Sequence, residues 1–215
     1  MDSIEVRLAM AAKNFEREEF KTVISYLAGD RTLNLDPGQK HYRLGFCYWN
    51  LELIGYCRDN SDEIKSFGKL ALQALDSAEH YGADRYLCAG YKGLAAQILA
   101  GLGLRSGITY GPRASSELKK ALKINPHGYL SRLADAVYIN QAPKFAGGNP
   151  KQAVLRLEDL AQEFPDSVVV KIHLASAYCR AGRPNQALSL INSVLAEFPQ
   201  HLLARKIAGT INSKK

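Results

Sequence analysis

The residues of this 215-residue chain that could do chemistry are five histidines, four cysteines, a glycine cluster and a few paired acids. His41, His80, His127, His173 and His201 are dispersed. No two stand at the i, i+4 spacing that puts two metal ligands on one helical face. Cys47, Cys57, Cys88 and Cys179 form no C-x-x-C pair and no zinc spacing with histidine, so they read as reduced thiols packed as small hydrophobes. Gly101, Gly103, Gly107 and Gly111 would suit a phosphate loop only after a strand and before Gly-Lys-Ser/Thr, and neither is present. No serine sits in a nucleophile elbow. Glu18-Glu19 and Glu158-Asp159 read as solvated helix faces, and Ser115-Ser116-Glu117 after Pro112 predicts a helix cap. An enzyme, a bound metal and a cofactor are therefore not expected.

The elements that position these residues are amphipathic helices. Pro165 and Pro199 stand 34 residues apart, each after the same ending, Glu163-Phe164-Pro165 and Glu197-Phe198-Pro199. Between them Val169, Ile172, Leu174, Ala175 and Tyr178 mark one helix by their spacing of three and four. Ala187, Leu188, Ile191, Val194 and Leu195 mark a second. Gly182 suits a left-handed C-cap between them, and Pro184 the start of the next helix. The 34-residue period of a helix-turn-helix unit marks a repeat array.

Leu174, Ala175 and Tyr178, followed by Ala187, Ile191, Val194 and Pro199, resemble the tetratricopeptide repeat. The template fits upstream with longer spacing between the two helices. Ala136 and Ile139 lead to Ala153, Leu157, Leu160 and Pro165, a gain of 5 residues. Leu94, Ala95 and Ile98 lead to Ala114, Leu118, Ala121 and Pro126, a gain of 7. Leu44, Gly45 and Tyr48 lead to Phe67, Ala71 and Ala74, a gain of about 10. Leu8 to Leu27 is helical but out of register, and His201 to Ser213 reads as a closing helix. The expectation is an all-α solenoid of about five antiparallel helical hairpins with a C-terminal capping helix. It forms one domain, residues 1–215, with repeats at 1–34, 38–80, 88–126, 129–165 and 168–200 and a cap at 201–213.

The gains are expected in the turns, at roughly Arg58–Glu63, Gly101–Arg113 and Gln141–Pro150, where repeat insertions tend to form a binding face. Tyr110 and Phe145 either plug the hairpin ends or, with Arg113 and Lys144, help form a recognition rim, since aromatics and arginine anchor such surfaces. The helix-A face of the last repeat offers Val169, Ile172, Ser176 and Arg180 to a groove. Ile172 stands where carboxylate-clamp relatives carry a polar residue, which argues against a clamp. Asp135 occupies a core slot; it either rotates out behind Leu133 or pairs with Arg132 or a lysine. The turn Pro143-Lys144-Phe145-Ala146-Gly147-Gly148-Asn149-Pro150 also resembles a segment of bacterial helical-repeat proteins related to the T component of TRAP-type solute-uptake systems.

The tetratricopeptide resemblance implies a non-catalytic adaptor that binds a protein or peptide. The TRAP resemblance implies an accessory transport subunit that meets a solute-binding protein or holds a hydrophobic or anionic small ligand. The charge is +7 and uneven: −2 over residues 1–103 and +9 over 104–215. That reads either as ordinary solvated helix faces or as a C-terminal half that attracts an acidic protein, nucleic acid or anionic lipid, but Lys119, Lys120, Lys123, Arg132, Lys151, Arg156 and Lys171 are scattered, so nucleic acid is a poor fit. A homo-oligomer stays open. No apolar run reaches the ~18–20 residues of a membrane span. The start, Met1 to Arg7, lacks the pattern of a secretory signal, so the expected compartment is the cytoplasm, or the periplasm if a leader was removed.

Overall fold

The computed structural model describes residues 3–29 and 35–213. They form eleven α-helices and no strand among the described residues. The expected end of the first repeat, residue 34, lies outside them. Two compact units are present, Met1–Ile124 and Asn125–Lys215.

The first unit contains α1 (Ser3–Asn14), α2 (Arg17–Gly29), α3 (Pro37–Cys57), α4 (Ser61–His80), α5 (Arg85–Ala100) and α6 (Leu104–Ile124). They pair as α1/α2, α3/α4 and α5/α6, with α2 on α3 and α4 on α5. The helix starts are written in the sequence. Asp36, Asn60 and Asp84 accept the N–H groups of Gln39, Glu63 and Leu87 at 3.0, 3.1 and 2.9 Å, which satisfies donors that no helical carbonyl can reach. The small slot at Gly45 serves close packing. A Cβ there would sit 2.5 Å from Leu75 Cγ, so the Leu75 side chain of α4 packs directly onto the α3 backbone.

The second unit contains α7 (Tyr129–Gln141), α8 (Pro150–Glu163), α9 (Val168–Arg180), α10 (Pro184–Glu197) and α11 (Leu202–Asn212), with a single 3-10 turn at Lys144–Ala146. Leu133, Ala136, Ala153, Leu157, Leu160, Val170 and Leu174 form its core. The two Glu-Phe-Pro endings share one backbone geometry. Phe164 has φ −124 and ψ 67; Phe198 has φ −127 and ψ 70. Each N–H bonds the carbonyl four residues back, Leu160 or Val194, at 2.8 Å. The following proline forbids a further helical turn. Gly182 takes φ 81, as its place predicts. Helix α11 buries Leu203, Ala204, Ile207 and Ile211 against α9 and α10, and so closes the last apolar face.

Two of the three enlarged turns are not turns. Only residues 58–60 separate α3 from α4, and only 101–103 separate α5 from α6. The extra residues lengthen the helices: α3, α4 and α6 run 21, 20 and 21 residues, against 13 and 14 for α9 and α10. In α3 they keep helical spacing and bury Leu51, Glu52, Ile54 and Gly55. Pro112 and Ser115 lie inside α6, so the expected cap at Ser115 is not formed. The proline removes the N–H that would bond the Ile108 carbonyl, but it sits on the exposed side, where water can serve that oxygen. Only the stretch between α7 and α8 is an enlarged connection.

Candidate functional site

The connection from Ala142 to Asn149 is held by its own hydrogen bonds. The Ala146 and Gly148 N–H groups donate to the Pro143 carbonyl at 2.9 and 3.0 Å, and Asn149 N–H donates to the Ile139 carbonyl at 2.7 Å. Tyr138 Oη donates to the Ala146 carbonyl at 3.2 Å. Gly147 takes φ 90, and a side chain at Gly148 would overlap the Ala142 carbonyl. Asn149 then caps α8 by accepting the Gln152 N–H at 3.1 Å, with Pro150 in the first turn. On this fixed loop Phe145 is 91% exposed, beside exposed Lys144. Phe145 therefore plugs nothing. A bare aromatic ring beside a cation on an ordered loop is a ready anchor for a partner.

The other expected site residues fare differently. On α9, Val169 is 38% exposed and Arg180 is exposed. Ser176 is half-buried and accepts a hydrogen bond from Asn140 Nδ2 at 3.3 Å. Ile172 is fully buried and is not available to a partner; its slot faces the unit's interior. On α6, Tyr110 is half-buried. Arg113 is bound to Asp76 at 2.5 Å, so its charge already has an internal partner. Asp135 is mostly buried and paired, but with Arg156 of α8, while Arg132 turns to Glu163. The partner comes from the facing helix because α7 and α8 place those side chains across the hairpin.

Two clusters escaped sequence reasoning. Lys92 on α5, 3% exposed, meets Asp76 at 3.3 Å, Glu79 at 2.6 Å and Glu117 at 3.2 Å. Glu79 also meets Lys120 at 2.5 Å and Arg85 at 3.4 Å. Burial would raise the Glu79 carboxyl, but the bonds from Lys120 and Lys92 hold it down at about 2. These residues come from α4, α5 and α6, and no local spacing announces them. The second cluster is aromatic: Tyr42, Phe46 and Trp49 on α3 with Tyr91 on α5. Phe46 meets Tyr91 edge-on at 5.3 Å, and Trp49 lies 4.9 Å from Tyr91. The i, i+4, i+7 spacing of Tyr42, Phe46 and Trp49 was a readable signal.

Cys47, Cys88, His173 and His201 have structural surroundings. Burial pushes the Cys47 thiol up to about 12 and the Cys88 thiol up to about 11, away from the reactive thiolate. All four cysteines are free. Burial lowers His173 to about 4, so it is neutral at ordinary pH. His201 caps α11, its Nδ1 accepting the Ala204 N–H at 3.3 Å. Among the described residues no group of His, Cys, Asp or Glu could hold a metal ion.

Residues 144–208 match the tetratricopeptide repeat family, from the Phe145 loop into α11. Among solved structures, the HusA haemophore from Porphyromonas gingivalis is similar in fold. The TM-score is 0.59 at 20% identity, over 92% of this chain and 94% of that one. No curated protein matches the chain.

Proposed function

We propose that the chain is a non-catalytic adaptor whose second unit takes a protein or peptide partner on the Pro143–Asn149 loop. Tetratricopeptide repeats as a class mediate protein–protein contact, and the matched residues begin at this loop. The observation that carries the reading is Phe145: nine-tenths exposed on a backbone that the loop's own hydrogen bonds hold in place. Ordering such a loop on binding costs little entropy, so the ring's contact area is retained as affinity. Lys144 beside it suits an acidic or carbonyl-rich segment. Val169 and Arg180 on α9 are the remaining surface positions of the expected groove.

The test is a photo-crosslinker placed at Phe145 in cells of the native host, with Lys144→Ala/Phe145→Ala as a competitor. The expected result is one dominant crosslinked protein. In a binding assay with that protein, the double variant should lose about tenfold or more in affinity and keep its melting temperature. Equal affinity in the double variant would remove the loop from the site.

A second reading rests on the aromatic row of the first unit and on the similar fold of a haemophore. Trp49 Nε1 is buried with no acceptor in reach. A flat apolar ring system would stack on Trp49, with Tyr91 inclined at 56° beside it. Trp49 is the chain's single tryptophan, so haem and a non-metallated porphyrin can be titrated against its fluorescence. Saturable micromolar quenching supports this reading, and linear quenching removes it.

A further inference from the structure

The first ten residues of α6 are built unlike the rest of that helix. From Ala114 onward α6 buries Ala114, Leu118 and Ala121, but Leu104 to Arg113 contains no buried residue. Leu104 is 81% exposed and Ile108 is 70% exposed, the most open aliphatic side chains among the exposed large hydrophobics. Exposed Pro112 follows four residues on. At about 100° per residue, Leu104, Ile108, Lys119, Pro112, Arg105 and Lys123 fall within one sector about 100° wide, turned away from Ala114, Leu118 and Ala121.

The charges of α6 divide the same way. Arg113 and Lys120 are held by Asp76 and Glu79, and the helix's one acid, Glu117, faces Lys92. Arg105, Lys119 and Lys123 are exposed and make no ion pair among the described residues. The exposed residues of this sector are therefore three unmatched cations and three apolar side chains, with no anion; Ser115 and Leu122 in the same sector are half-buried. An occupant must be anionic and must accept aliphatic groups. Within its unit α6 packs on α5, so the sector is the convex side of one cylinder rather than a groove. A convex stripe of this kind lies along a planar surface.

We infer that this face of α6 docks on an anionic membrane surface. Leu104, Ile108 and Pro112 enter the acyl boundary, and Arg105, Lys119 and Lys123 lie among the headgroups. Among the described residues no helix is long and apolar enough to cross a membrane; the contact made by this face is with the bilayer surface.

The experiment is flotation of the full chain with phosphatidylcholine vesicles and with vesicles doped with phosphatidylglycerol. The expected result is binding to the doped vesicles alone, weakened at high salt. Leu104→Ser/Ile108→Ser should abolish it. Lys119→Gln/Lys123→Gln should weaken it roughly tenfold or more, on the scale of lysines near an anionic surface. All four positions are exposed, and circular dichroism confirms that the variants fold. Failure of the wild type to float, or equal flotation on both vesicle types, overturns the inference. So does binding to polyglutamate with none to vesicles, which would assign the face to an acidic protein. Neither result bears on the Phe145 loop, which belongs to the other unit.

Discussion

Replacing Lys92 by methionine removes one charge and keeps most of the side chain's length. The ammonium is nearly sealed, with three carboxylates within 3.3 Å. Their losses are unequal. Glu79 keeps Lys120 and Arg85, and Asp76 keeps Arg113. Glu117 makes its ion pair with Lys92, and its Oε2 is buried without a partner. Removing one member of a buried pair costs about 3–5 kcal/mol. Holding Glu79 at about 2 rather than 4.5 corresponds to about 3 kcal/mol at neutral pH, part of it supplied by Lys120. The expected loss is therefore about 2–4 kcal/mol, or roughly 10 °C in melting temperature for a unit of this size. The pH dependence separates charge from packing. Glu79 is depressed in the folded state, so its contribution is present above about 4.5 and lost as pH falls toward 2. Against the lowering effect of burial, its carboxylate partners raise Lys92, so its contribution persists until alkaline pH. Urea denaturation of Lys92→Met at pH 7 and pH 3 should show the full loss at pH 7 and roughly half of it or less at pH 3, where Glu79 is still mostly ionised in the folded state. Adding Glu117→Gln should restore part of the loss at pH 7. An equal loss at both pH values, or one below about 0.5 kcal/mol at pH 7, would refute the electrostatic account.

Two further outcomes follow from buried positions. Burial raises Glu52 well above the ordinary carboxylate range, and neither oxygen has a hydrogen-bond partner. The folded state keeps it protonated, so stability falls as pH rises above about 4.5. Glu52→Gln should raise the melting temperature more at pH 8 than at pH 4; an equal shift at both would show that ionisation is not the cost. Ala175 and Ala187 are fully buried where α9 and α10 approach. Ala175→Leu or Ala187→Leu should lower stability by about 1–3 kcal/mol in chemical denaturation, and unchanged curves for both would overturn the repeat register.

The parts legible in the sequence are those set by short range or by repetition. The Glu-Phe-Pro endings, the small slots at Gly45, Ala136, Ala175 and Ala187, and Gly182 each act within a hairpin, and each lies where the pattern places it. A proline and four glycines read as a loop, whereas most of the added residues extend helices. Spacing alone does not reveal that Pro112 lies on the wet side of a helix anchored downstream by Ala114 and Leu118. Family register places Ile172 in a groove, whereas its burial depends on what packs over α9. Lys92 was invisible for a deeper reason: its partners stand 16, 13 and 25 positions away along the chain, and only the packing of α4, α5 and α6 joins them. Phe145 was singled out by type and place, and its exposure settles that it does not plug the hairpin.

The matched backbone at Phe164 and Phe198 has a consequence for how such a chain changes over generations. Each joint delivers the peptide to the next helix in the same conformation. A stretch of 34 residues bounded by the two joints can be copied or deleted in frame, and the chain on either side meets an ending it already fits. Length at this end of the protein is thus adjustable in whole modules, while α11 remains as a lid that closes whichever module comes last.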